Sequence, residues 1–258
     1  MTDDGLDEST RSRLAAVAAD RAAVYELLVV GLAEPDDEQL AALQRGSMTH
    51  ELGARTRWLR EDAALYQVGL DGLRAAETQV ATAPSLTAVV RDYKVEYARL
   101  FTGPGRPVVA CYESQYRDEK GKDGWGRLEG PSTEAVRQAY RAAGVALAPD
   151  MREPADHVLT ELEFLYYLCR AEAEAWGAGN GVPRALELRR TTDTFLREHA
   201  VQWMPVFADA VKGAATLPLP AAMADVLLSH LAVELGEVPD QLRRRAARAY
   251  ELMGQRLR

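Results

Sequence analysis

Asp156 and His157 stand side by side two residues after Pro154, and Glu161 follows four residues beyond the histidine. An Asp and a His projecting at a helix N-terminus beside a long loop can form a polar recognition point, and a His and a Glu at i and i+4 on one helix can share a metal ion. The next positions on that face are Phe164 and Leu168, so no third ligand follows at helical spacing. The plainer alternative is a carboxylate favourably placed at the positive end of a helix and a histidine on its surface. Both readings stay open here. A second group is Tyr112, Glu113, Ser114 and Tyr116, residues that make contacts although they sit in a glycine-rich stretch. A third is Tyr93, Tyr97 and Phe101, spaced four apart with Leu100 beside them. Such stripes usually pack a core, and Tyr93 is expected there. Tyr97, Leu100 and Phe101 adjoin the loop and are placed to line a groove. His50, His199 and His230 stand isolated, with no triad-like arrangement around Ser or Cys.

These groups meet at residues 96–116, EYARLFTGPGRPVVACYESQY, around which the chain is organised. A helix ends at Gly103-Pro104-Gly105, because Pro lacks an N–H and Gly admits backbone that other residues avoid. Residues 102–130 show no helical period, far longer than an ordinary connection. Six of the chain's 19 glycines fall there, which marks a shaped functional loop rather than a linker. Neither glycine motif is a phosphate loop. Gly103-Pro104-Gly105 has Val at position 108 and no strand before it, and residues 121–124 lack the required spacing and a following Ser or Thr.

Outside the loop, helical periodicity dominates. Helices are expected from about Arg11 to Ala33, Asp36 to Arg45, and Ser47 (as N-cap) through Trp58, Leu65 and Val68, broken near Gly69 or Gly72. Others start at Pro84-Ser85 and Pro131. Pro154 is read as a first helical position, with Asp156 and His157 inside the helix. Pro183 opens a helix bent or ended at Pro205, Met223–Leu235 forms another, and Pro239 opens an arginine-rich last helix that reads as a solvated face. The class is all-α, a bundle of about eight to ten helices. Residues 1–10 read as a disordered tail and 11–258 as one domain. Subdomains 11–143 and 154–258 would join at a hinge, 144–153, that permits exchange of helices between protomers.

The 258 residues, 47% of them hydrophobic, suffice for a substantial core. A net charge of −8 and a pI near 5.2 argue against nucleic acid and favour a cationic partner. Two distant cysteines, Cys111 and Cys169, build neither a zinc site nor a disulfide scaffold and suit a cytoplasmic setting. The acidic start has no apolar stretch behind it, so no signal peptide is read. No run of 18 apolar residues suggests membrane insertion.

Taken together, EYARLFTGPGRP at 96–107, YESQY at 112–116, EPADH at 153–157, ELEFLYYL at 161–168 and FLREHAVQWMPVFADAV at 195–211 resemble the TorD/DmsD (NarJ-like) family of cytoplasmic redox-enzyme maturation chaperones. Cys111 departs from that pattern, standing where the family usually has Pro. The resemblance implies a TorD-like helical domain with no enzymatic activity and no cofactor or metal of its own. The implied partners are the catalytic subunit of a molybdopterin oxidoreductase of the dimethyl-sulfoxide-reductase type and its twin-arginine signal peptide. The chaperone would aid molybdenum cofactor insertion and delay export, as a monomer or a domain-swapped dimer. By motif match the peptide site would comprise Tyr97, Leu100, Phe101, Tyr112, Glu113, Ser114, Tyr116, Asp118, Pro154, Asp156 and His157. Glu113, Asp118, Glu153 and Asp156 would supply an acidic rim and the aromatics an apolar groove, with Asp156 accepting hydrogen bonds from a signal arginine. The competing reading is a helical metal-dependent enzyme using His157 and Glu161.

Overall fold

The structure, a computed structural model, describes residues 6–103, 105–121, 124–147, 153–178 and 180–236. Among these residues it is all-α, with eleven α-helices and only two isolated β-bridges. They are α1 (Glu8–Leu32), α2 (Asp37–Gln44), α3 (Ser47–Arg55), α4 (Gln67–Thr82), α5 (Leu86–Tyr97), α6 (Glu113–Arg117), α7 (Pro131–Ala142), α8 (Val158–Gly177), α9 (Val182–Phe195), α10 (Val201–Ala214) and α11 (Pro218–Leu235). The arginine-rich segment after Pro239, residues 148–152 of the expected hinge at 144–153 and the first five residues lie outside the described residues.

Local chemistry sets most boundaries. Asp7, Asp36 and Ser85 each accept a hydrogen bond from a first-turn N–H and so cap α1, α2 and α5. Asp7 starts α1 at Glu8, so residues 8–10, read as tail, are helical. The expected long helix from Ser47 is instead α3, a 3₁₀ segment (Arg57–Tyr66) and α4. Its N-cap is Gly46, at φ 71°, and not Ser47. The break falls at Thr56 rather than at Gly69 or Gly72. Those two glycines are where α4 crosses α11: a Cβ on Gly69 would sit 2.7 Å from Val226 Cγ2, and one on Gly72 2.8 Å from the Ala222 Cβ. Pro205 lies inside α10 without ending it. A π-turn over Leu196–Ala200 lies just before it.

The most extensive packing joins α1 to α8. Val158, Leu162, Leu165, Cys169 and Trp176 are among the α8 residues buried at helical spacing, and Val24, Leu28 and Leu32 among those of α1. Each such side chain contributes about 1.5–3 kcal/mol by leaving water. One contiguous core draws on residues from Ala22 to Ala232, on both sides of positions 144–153. α11 has the length and mean hydropathy (1.2) of a membrane span, although Asp225, His230 and Glu234 interrupt its apolar residues. Two-thirds of it (67%) is buried inside the protein, as befits a core helix packed on α1, α4 and α10.

A buried ionic cluster ties four helices at one end of this core. Arg21 of α1 bonds Glu172 of α8 at 2.7 Å and Glu234 of α11 at 2.5 and 2.8 Å, and Arg189 of α9 reaches Glu234 at 3.1 Å. His230, isolated in the sequence, meets Tyr66 Oη at 2.6 Å through Nδ1.

Candidate functional site

The candidate site forms where the long loop is stitched to the start of α8. α5 runs into a π-turn, Ala98–Thr102, and stops at Gly103, whose φ of 36° favours glycine. The chain then folds back, with Val109 N–H donating to Leu100 O at 2.9 Å. Next it pairs in extended form with the segment before α8: Glu113 N–H donates to Asp156 O at 2.9 Å and Val158 N–H to Cys111 O at 2.8 Å. Tyr112 and His157 are thereby opposed in an antiparallel bridge, their rings edge to face at 5.0 Å.

The loop is not wholly irregular, because α6 occupies Glu113–Arg117. Its N-terminus is capped from across the fold by Asp156, whose Oδ2 accepts from Ser114 N–H at 2.8 Å. Pro154 is not the first residue of α8. It lies in a turn, its carbonyl accepting from His157 N–H at 3.1 Å. His157 is the N-cap of α8, its Nδ1 accepting from Leu159 N–H at 3.2 Å. Asp156 and His157 therefore precede the helix instead of riding on it.

This arrangement opens a pocket of about 300 Å³. Tyr97, Phe101, Tyr112 and His157 supply aromatic walls, Cys111 and Leu159 apolar ones, and Thr102 and Thr160 hydroxyls. Tyr97 meets Phe101 edge to face at 5.2 Å, and Phe101 is backed by Phe207 of α10 at 6.2 Å. Two exposed carboxylates border it, Glu153 and Glu163. Glu153 accepts from Tyr112 Oη at 2.5 Å. Burial pushes the Glu163 carboxyl upward, the signature of a carboxylate in apolar surroundings. Burial also lowers His157, against the pull of Glu153 and Asp156, so its ring is neutral at pH 7. Burial pushes the Cys111 thiol up to about 12, with Glu153 adding to it, which leaves the thiol unreactive.

Of the residues assigned by resemblance, Tyr97, Phe101, Tyr112 and His157 converge on this pocket, and Leu100, Glu113, Ser114, Tyr116 and Asp156 lie buried. Tyr116 Oη donates to Ala110 O at 2.9 Å, and its ring packs on Trp203 at 5.3 Å. Asp118 caps α7, accepting from Ser132 N–H at 3.2 Å and Oγ–H at 2.5 Å. Glu113 pairs with Arg117 and receives His199 Nδ1 at 3.1 Å. Glu161 turns away from His157 to accept from Trp203 Nε1–H at 3.2 Å. Burial, reinforced by Glu113, raises its carboxyl well above the usual range. Its other oxygen, Oε1, is buried with no hydrogen-bond partner among the described residues. His157 and Glu161 thus serve different partners. No group of three or more His, Cys, Asp or Glu is placed to hold a metal among the described residues.

Sequence reasoning missed Glu163 and Thr160. They follow His157 at three-residue steps along α8, a spacing that could have pointed to them. It also missed His199 and Trp203, which reach the site only through tertiary packing.

Comparison with known proteins bears on this geometry. The family described as the nitrate reductase delta subunit matches residues 70–209, from within α4 to within α10. The chain belongs to that family. The match spans α5, the long loop and α8, and so all of the pocket. A selenate reductase assembly chaperone protein of Thauera selenatis is 32% identical over 162 residues, 62% of this chain and 77% of the relative. A chlorate reductase assembly chaperone protein of Ideonella dechloratans is 33% identical over 124 residues, 48% of this chain and 59% of the relative. A chaperone protein TorD of Vibrio cholerae is 26% identical over 118 residues, 46% of this chain and 49% of the relative. The resemblance carried by the loop and α8 motifs is thus borne out at the level of the family.

Proposed function

We propose that this chain is an assembly chaperone for a molybdopterin oxidoreductase. It would hold the twin-arginine leader of the catalytic subunit while the molybdenum cofactor is inserted, and so delay export. It carries out no reaction of its own. One observation carries the reading: an aromatic pocket bordered by two exposed carboxylates and floored by a neutral histidine. A leader peptide joins guanidinium groups to an apolar stretch, and this pocket offers a partner to each. The names of the relatives, each a reductase assembly chaperone or TorD, support the role.

The geometry shifts the expected division of labour. Asp156 is fully buried and already holds the N-terminus of α6, so its part is to fix Tyr112 and the loop. Glu153 and Glu163 are the carboxylates that meet an incoming arginine. Calorimetry with the twin-arginine leader of a candidate molybdopterin oxidoreductase tests the assignment. Glu163→Gln is expected to weaken binding about tenfold without lowering the melting temperature. Asp156→Ala is expected to weaken binding and lower the melting temperature together. Full affinity in Glu163→Gln, with loss in a fully stable Asp156→Ala, would return the arginine contact to Asp156.

A further inference from the structure

A second cleft, of about 470 Å³, opens between α7 and the α9 segment and shares no lining residue with the aromatic pocket. Phe164, Phe195 and His199 line its inner side, each at least nine-tenths buried. The His199 imidazole stacks on Phe195 with ring centroids 4.8 Å apart and 27° between planes. Its Nδ1 lies 3.2 and 3.1 Å from the two carboxylate oxygens of Glu113, which is itself paired with Arg117. A carboxylate held by a guanidinium accepts, so the ring N–H that faces Glu113 is on Nδ1, and Nε2 is the ring nitrogen left to accept. Nε2 has no hydrogen-bond partner among the described residues.

A lone acceptor on an aromatic floor fits a flat apolar group that carries one N–H or O–H. We propose that this cleft is a binding subsite for the indole of a tryptophan or the phenol of a tyrosine on a partner polypeptide, with His199 Nε2 accepting the ring's hydrogen bond. A polypeptide fits because the α7 wall is built of Ala135, Ala139 and Ala142, whose short side chains let a main chain come close. Gln138 and Thr194 at the exposed rim can serve its peptide groups. A phenylalanine would fill the same space and leave Nε2 unpaired, so the subsite discriminates by the donor. The subsite stands independently of leader binding.

The test is nuclear magnetic resonance of the full chain labelled with ¹⁵N-histidine at pH 8, titrated with N-acetyl-tryptophanamide. The expected result is a saturable move of the His199 Nε2 signal toward the hydrogen-bonded position. The 1-methylindole analogue and N-acetyl-phenylalaninamide should bind at least tenfold more weakly. His199→Phe, which keeps the stacked ring, should reduce indole binding by the same factor while its circular dichroism stays native. If His199→Phe does not fold, the donor-free probes decide alone. An unmoved Nε2 signal, or equal binding of the methylated and unmethylated indoles, would overturn the proposal.

Discussion

Single residues here divide into those that face the pocket and those that hold it in place, and the two kinds respond differently to pH. Among the described residues Glu163 has no ion-pair partner, and the partial burial of this exposed side chain raises its carboxyl above the ordinary 4.5. A bound guanidinium favours the charged form. Leader affinity should therefore fall as pH drops through the raised value, and Glu163→Gln should flatten that dependence. Glu161 acts on stability instead. Its folded-state value lies well above 4.5, so its contribution is complete below 4.5 and is lost as pH rises toward the folded value. Across that window stability should fall by up to about 1.4 kcal/mol per pH unit. Glu161→Gln removes the titrating carboxyl and should remove the slope, which urea unfolding between pH 5 and 8 can measure. An unchanged slope in that variant would mean that Glu161 is not the proton carrier.

Elements determine how closely these residues meet. The crossing of α4 and α11 depends on Gly69, where even a methyl group would press on Val226. Gly69→Ala should destabilise by about 1–3 kcal/mol, despite alanine's better helix propensity. That is a drop of a few degrees in melting temperature, with leader binding at saturation unchanged; a stabilised variant would show that the helices part freely. Most helices were legible from the sequence because their signals are local: Ser85 as a cap, Pro131 and Pro183 as openers, the repeats of α1 and α8. The misreadings have physical causes. Pro154 looks like a helix opener, but the turn it makes lets His157 cap α8 instead. Pro205 reads as bending or ending its helix, but it lies in the first turns of α10, which begins at Val201. α6 is too short to show a period and depends on a cap from Asp156, distant in sequence.

For the whole molecule, motif order pointed to the pocket while the division of its residues stayed hidden. Tyr97, Phe101, Tyr112 and His157 were readable because they flank the glycine break and the EPADH segment. The burial of Glu113 and Asp156 was not, since a carboxylate's exposure depends on what packs over it. Here Arg117 and His199, the latter from far along the chain, cover Glu113, and the start of α6 covers Asp156. The interior carboxylates hold the loop against α8, and the exterior pair gives an acidic protein a local handle for a cation. The most direct measurement is calorimetric titration of the twin-arginine leader into wild-type protein and into Glu153→Gln/Glu163→Gln. Saturable binding to the wild type, and binding at least tenfold weaker in the folded double variant, is the predicted result. A leader that does not bind the wild type, or binds both proteins equally, would contradict the account.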